Sequence, residues 1–151
     1  MKLKLFFAAM IILVCGQMFA QTYPEVTIRN IQYISLDSLN TAPHDYFSPY
    51  EGDTVIVTGV VQVAPYYGAN PDSNYIMRVG GSGLLLQDEF DREYSGMVVK
   101  FMGTDAADFK LLDTGMVVKL KGYVKEYYTT TQFNVIEFTS ADVVGITNRP
   151  R

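Results

Sequence analysis

Cysteine, histidine and tryptophan are nearly missing from this sequence of 151 residues, which holds one Cys, one His and no Trp. With Cys15 and His44 as the entire supply, a multi-ligand Cys/His zinc site is excluded by counting, and so is a Cys/His nucleophile pair once Cys15 leaves with the first twenty residues. A Ser/His/Asp triad would rest wholly on His44, which sits beside Pro43 and Asp45 in a polar stretch. No intrachain disulfide can form, so a hydrophobic core has to hold the domain together. Long apolar runs are also scarce. The one uninterrupted stretch, Leu5 to Val14, is ten residues, about half of what a helix needs to span a bilayer.

Lys2 and Lys4 precede that run, and smaller, more polar residues follow it as far as Ala20. A charged start, an apolar middle and a small-residue exit make residues 1–20 a secretory signal peptide. Cleavage between Ala20 and Gln21 fits, although Met18 is larger than the peptidase prefers two residues earlier. Cys15 offers a competing exit through lipidation, a poorer fit because bulky Val14 stands where lipoprotein processing takes Gly or Ala. The mature chain is then exported, to the periplasm, the cell surface or the medium. It loses two of twelve basic residues, none of the sixteen acidic ones and the lone cysteine, which leaves a net charge of −6.

About 130 residues remain, enough for one domain with a core of its own. Residues 21–50 mix short apolar groups with Ser, Asp, Asn and Pro and are read as an irregular leader, with Val26 to Ile28 as an edge strand or a first turn covering one end of the domain. Ser48 to Asp53 is a turn by its Pro and Gly content. Thr54 to Val63 is dense in β-branched residues, with Val55, Val57, Val61 and Val63 on one face and Gly59 as a point of bending. A polar loop from Pro65 to Ser82 follows, with a short strand at Tyr75 to Val79 inside it. Further strands are expected at Gly83 to Asp88, Gly96 to Met102, Met116 to Tyr128 and Phe133 to Phe138, with Asp142 to Val144 closing the domain. A short helix capped by Thr104 or Asp105 runs to Leu112. Five strands with one short helix between the third and fourth give an all-β, five-stranded antiparallel Greek-key barrel, the OB-fold plan, over residues 51–145. Residues 146–151 are read as a linker-like tail, suggesting a larger parent protein.

The runs Gly52 to Val61, Gly83 to Asp88, Ser95 to Val99 and Asp113 to Val124 resemble the OB-fold modules of secreted bacterial proteins. Those modules are similar to nucleic-acid-binding OB-fold domains and stand beside extracellular nucleases, phosphatases or type IX sorting domains. The resemblance implies an accessory, non-catalytic role and is more specific for fold than for function.

The sharpest functional pattern lies in the fourth strand, where a period of two puts Lys119, Lys121, Tyr123, Lys125 and Tyr127 on one face. A cationic row with aromatic rings is what single-strand binders use to track a backbone and stack bases; an ordinary solvated face uses the same residues. Two aromatic loops frame the surface, Tyr66, Tyr67 and Tyr75 in one and Tyr127 and Tyr128 in the other. They suit bases or sugar rings, and equally the plugging of a barrel mouth. The acidic charge opposes phosphate binding and favours a neutral ligand or a protein surface.

Asp88 to Glu93 and the group Asn70, Asp72 and Asn74 carry hard oxygen ligands, but neither matches a calcium loop. Asp113-Thr114-Gly115, the letter string of aspartic proteases, occurs once and is a turn. The expectation is therefore a non-enzymatic module with no cofactor and no metal. Its ligand-binding residues are Tyr66, Tyr67, Tyr75, Lys119, Lys121, Tyr123, Lys125, Tyr127 and Tyr128, taking single-stranded nucleic acid or a glycan. The other reading is a structural domain docked on a covalent neighbour or an envelope protein. Amino-terminal sequencing of the exported product should begin at Gln21; a lipid-blocked terminus at Cys15 would establish the competing exit.

Overall fold

A computed structural model describes residues 22–40, 47–65, 83–90, 93–104, 106–128 and 130–147. The signal segment, His44, the loop tyrosines Tyr66, Tyr67 and Tyr75, the strand expected at Tyr75 to Val79 and the last four residues lie outside them.

The strands are β1 (Thr54–Val63), β2 (Gly83–Gln87), β3 (Gly96–Phe101), β4 (Met116–Tyr127), β5 (Thr130–Val135) and β6 (Val143–Ile146). Their order is β1-β2-β3-β5-β4-β6, and a further pairing of β1 with β4 closes the first five into a barrel. β1 with β2, β2 with β3, β1 with β4 and β4 with β5 are antiparallel, as expected. β3 with β5 is parallel, which corrects the purely antiparallel expectation. The reason is parity: directions cannot alternate all the way round a ring of five, so one seam has to run parallel. This order, with one parallel seam, is that of the OB-fold.

Alternation fills the interior. Val55, Val57 and Val61 of β1, Leu84 and Leu86 of β2, Met97 and Val99 of β3, Val118, Leu120 and Val124 of β4, and Phe133 and Val135 of β5 are all buried. Gly59 permits a close approach, since a Cβ there would lie 2.8 Å from the carbonyl of Gln87 and from the Leu86 side chain. Gly122 does the same in β4, where a Cβ would come within 2.5 Å of the Asn134 carbonyl. At that level β4 has β1 on one edge and β5 on the other.

Each end of the barrel has its own plug. The helix expected from Thr104 to Leu112 is a single 3-10 turn, Phe109–Leu111, with no side-chain cap. It works through one residue: Phe109 is fully buried, stacked on Phe101 at 5.1 Å and edge-on to Phe138 at 5.5 Å. Phe138 lies beyond β5, which starts and ends three residues earlier than its expected span of Phe133 to Phe138. Asp113-Thr114-Gly115 is the turn into β4, with Gly115 at φ +91° and the Met116 N–H donating to the Asp113 carbonyl.

The opposite end is closed by the leader, whose irregular course holds two five-residue helices, α1 (Ile28–Gln32) and α2 (Leu36–Asn40). Just before α1, the chain joins the free edge of β1: the Ile56 N–H donates to the Pro24 carbonyl and the Val26 N–H to the Ile56 carbonyl. Ile28 and Ile31 of α1 are fully buried in the core. The Asp88 carboxylate after β2 accepts the Ile28 and Arg29 N–H groups, both at 2.9 Å, two of the donors that a helix start leaves without intrahelical partners. Thr27 caps the same turn through the Asn30 N–H. Ser48 fixes the exit, its hydroxyl donating to the Ile31 carbonyl at 2.6 Å.

Truncation of either plug should cost far more than a surface change. In urea unfolding, Ile31→Ala is expected to lose about 2–5 kcal/mol and Phe109→Ala about 3–5 kcal/mol, while Leu36→Ala at an exposed leader position stays within about 0.5 kcal/mol of the parent.

Candidate functional site

Lys119, Lys121, Tyr123, Lys125 and Tyr127 do share the outward row of β4, because Leu120, Gly122 and Val124 between them point into the barrel. The structure splits that row into two halves with different surroundings.

The first half meets the leader. The Lys119 ammonium pairs with the Glu25 carboxylate at 2.7 Å, and the Thr58 hydroxyl lies 3.3 Å from the other Glu25 oxygen. The hydrogen bond from Lys119 holds the Glu25 carboxyl below its ordinary range against the opposing effect of desolvation, with the Lys119 charge and the Thr58 hydroxyl adding to the lowering. Lys121 reaches over the Tyr23 ring, 5.2 Å from its centroid, a cation–π arrangement. Two of the three lysines expected to face a ligand thus have partners within the chain. The reason is geometric: the leader lies along the β1 edge, one strand away from β4, so its outward side chains reach the lysines of β4 across β1.

The second half stands at the β4–β5 hairpin. Lys125 is exposed and without a partner among the described residues. Tyr127 and Tyr128 pack edge to face at 4.8 Å, and Tyr128 is 86% exposed. Tyr128 adopts φ +56°, a left-handed conformation that a bulky side chain rarely takes. The hairpin geometry requires it and the ring is turned outward. Lys100 of β3 brings its ammonium 4.9 Å from the Tyr127 centroid. This contact bridges β3 and β4 across β5, whose outward residues Gln132 and Asn134 are buried. Sequence reasoning missed Lys100, although its alternation with buried Val99 and Phe101 on β3 carried the signal. Asn134, 3% exposed, keeps an Oδ1 without a hydrogen-bond partner among the described residues, so the outer face of β5 is polar beneath its cover.

Beside the hairpin a cleft of about 630 Å³ opens between leader and barrel. Leu85 and Val98, paired across β2 and β3, form its apolar side. Phe47 and Tyr128 bring exposed rings to it. Glu126 lies in its lining, and its Oε1 accepts from the Ser48 N–H at 3.0 Å and from the Thr131 hydroxyl at 2.7 Å. Apart from Tyr128, these residues carry no sequence signal for a site, because the wall supplied by Phe47 is far from β4 along the chain. A second groove of about 650 Å³ runs between β1, β6 and the residues after β2. Among the described residues its one aromatic is Phe90, and its Asp88 carboxylate already holds the start of α1.

The described residues contain no group of three or more His, Cys, Asp or Glu that could hold a metal ion, and no helix among them is long and apolar enough to cross a membrane. Asp88, the first member of the acidic stretch considered for calcium, is engaged as a helix cap.

No protein-family model matches the chain, and no curated protein matches it. Among solved structures it is similar to the second OB-fold domain of replication protein A from Methanococcus maripaludis, at 20% identity over 66% of this chain and 88% of that one, with a TM-score of 0.39. The OB-fold of the present chain rests on its own strand order and its parallel β3–β5 seam.

Proposed function

We propose that this chain is an exported, non-catalytic OB-fold module that holds a ring-bearing polymer, a single-stranded nucleic acid or an oligosaccharide, at the β4–β5 end of its outer face. The observation that carries this reading is the cluster of Lys100, Tyr127 and Tyr128 beside Lys125. It combines exposed ring faces with two cations on a sheet that main-chain pairing makes rigid. Stacking on tyrosine requires only that the ligand present a flat or apolar ring face, so it serves bases and sugars alike. The leader reduces what the rest of β4 can offer to phosphate, since Lys119 is paired with Glu25 and Lys121 lies over Tyr23.

A second reading, a structural domain that packs on a covalent neighbour or an envelope partner, is favoured by that same leader contact. There the basic row is an internal docking strip and needs no outside ligand.

Gel shifts with oligothymidylate and a screen of immobilised glycans, run on the chain at low and physiological salt, separate the two readings. Tyr127→Ala and Tyr128→Gly are each expected to weaken binding about tenfold, as loss of a central aromatic contact does. If the polymer is a nucleic acid, Lys100, Lys121 and Lys125 are the cations without an ion-pair partner that this face offers among the described residues, so the slope of log K against log salt should be about −2.1. Silence in both screens would leave the structural reading.

The docking strip makes its own prediction. Glu25→Gln frees Lys119 and should raise retention on a phosphate-bearing resin at low salt. Acid should act in the same direction: the carboxyl is held below its ordinary range, so its pairing is complete at neutral pH and is lost as pH falls through the folded-state value. Retention of the parent rising as pH is lowered, with E25Q already high and changing less, is the expected pattern.

A further inference from the structure

We infer, resting on the reading above, that the polymer is an uncharged oligosaccharide and that one of its units sits in the cleft between the leader and the β4–β5 hairpin. The volume of about 630 Å³ lies within the range of small-molecule sites. Its chemistry is that of a sugar and not that of a phosphate. The rings of Phe47 and Tyr128 and the apolar side formed by Leu85 and Val98 suit the C–H face of a pyranose.

The polar groups are placed to meet hydroxyls. Glu126 is oriented through its Oε1, which takes both the Ser48 N–H and the Thr131 hydroxyl, and its Oε2 has no partner among the described residues. Gln32 donates its Nε2 to the Gly96 carbonyl at 3.2 Å, which leaves its Oε1 as an acceptor. Neighbouring hydroxyls of a sugar donate to a carboxylate oxygen and an amide oxygen of this kind. A phosphodiester has no proton to give them. Among the described residues no Lys or Arg lines the cleft, and Glu126 is its one charged residue. In a chain whose mature charge is −6, a half-buried carboxylate without a cation repels a polyanion.

The cleft is also not a property of the barrel alone. Gln32, Ile34 and Phe47 come from the leader, and Gly96 in its lining borders open space, since a Cβ there would meet nothing within 4 Å. That open position supplies a variant that blocks the cleft without removing any contact. Gly96→Leu pushes a side chain into it, and Glu126→Gln keeps the Oε1 bonds to Ser48 and Thr131 while removing the charge.

The test is calorimetric titration of the chain with cellohexaose, maltohexaose, chitohexaose and oligothymidylate, after thermal unfolding has shown each variant to be folded. The expected result is binding of at least one hexasaccharide with little dependence on salt, weakened about tenfold in E126Q and abolished in G96L. Oligothymidylate bound more tightly than every sugar would overturn the inference and leave the broader reading intact. Binding of no sugar and no oligothymidylate overturns both. Sugar binding that G96L and E126Q leave unchanged overturns the cleft as its place.

Discussion

The contact on which the rest of this structure depends is the one between the Asp88 carboxylate and the first two N–H groups of α1. Asp88 stands at the end of β2 and is itself buried, so its charge needs donors. The Ile28 and Arg29 amides are donors that a helix start leaves open. Each group satisfies the other, and hydrogen bonds to a charged acceptor contribute about 1.5–3 kcal/mol apiece. Once α1 is held there, Ile28 and Ile31 fall into the barrel mouth, and the residues before the helix are drawn along the β1 edge. The leader thereby becomes part of the core and also part of the outer face. Tyr23 and Glu25 come to lie over the lysines of β4, and the chain after α1 returns through Ser48 to meet Glu126.

Much of the barrel can be read from residues close together in sequence, because its signals are local. Alternation along Thr54–Val63 and Met116–Tyr127 needs only the period of a strand, and the outward row from Lys119 to Tyr127 obeys the same rule. The departures are of a kind local reading cannot avoid. A span of Phe133 to Phe138 for β5 is three residues late because both phenylalanines look like core residues. In the structure Phe133 belongs to the strand, and Phe138 packs on Phe109 after the strand has ended. The helix before β4 reads as longer than it is because its polar residues suit a cap, whereas the burial comes from Phe109 in the turn and Leu112 just after it. The parallel seam is a consequence of closure, and closure is not written in any single strand.

The candidate site is legible in sequence only in its β4 half. Alternation shows that Lys119 and Lys121 face outward, but it cannot show what lies opposite them. Glu25 is 94 residues away from Lys119 in sequence, and no period links the two. The same holds for Lys100 over Tyr127 and for the approach of Ser48 to Glu126. A row that reads as a continuous cationic track is therefore divided, with Lys119 paired and Lys121 held over Tyr23 by the leader, and the other end left at the hairpin. This division changes the electrostatic argument. The acidity of the whole chain already opposes phosphate, and the local exception that a lysine stripe could have offered loses Lys119 to Glu25.

On the proposed reading, specificity resides in the leader more than in the barrel. An OB-fold barrel by itself presents a curved sheet with loops at its rim, and here that sheet offers Leu85, Val98 and the hairpin rings, groups that would suit many ring-bearing ligands without choosing among them. Choice needs polar atoms at fixed positions. The chain obtains them from the leader: Ser48 orients Glu126, and Gln32 is tied to the Gly96 carbonyl. Those contacts exist only while α1 is seated, and α1 is seated by Asp88. Stability of the barrel mouth and order in the cleft are thus two outcomes of one carboxylate accepting two amide protons, and a change that loosens the leader should disorder the cleft before it unfolds the barrel.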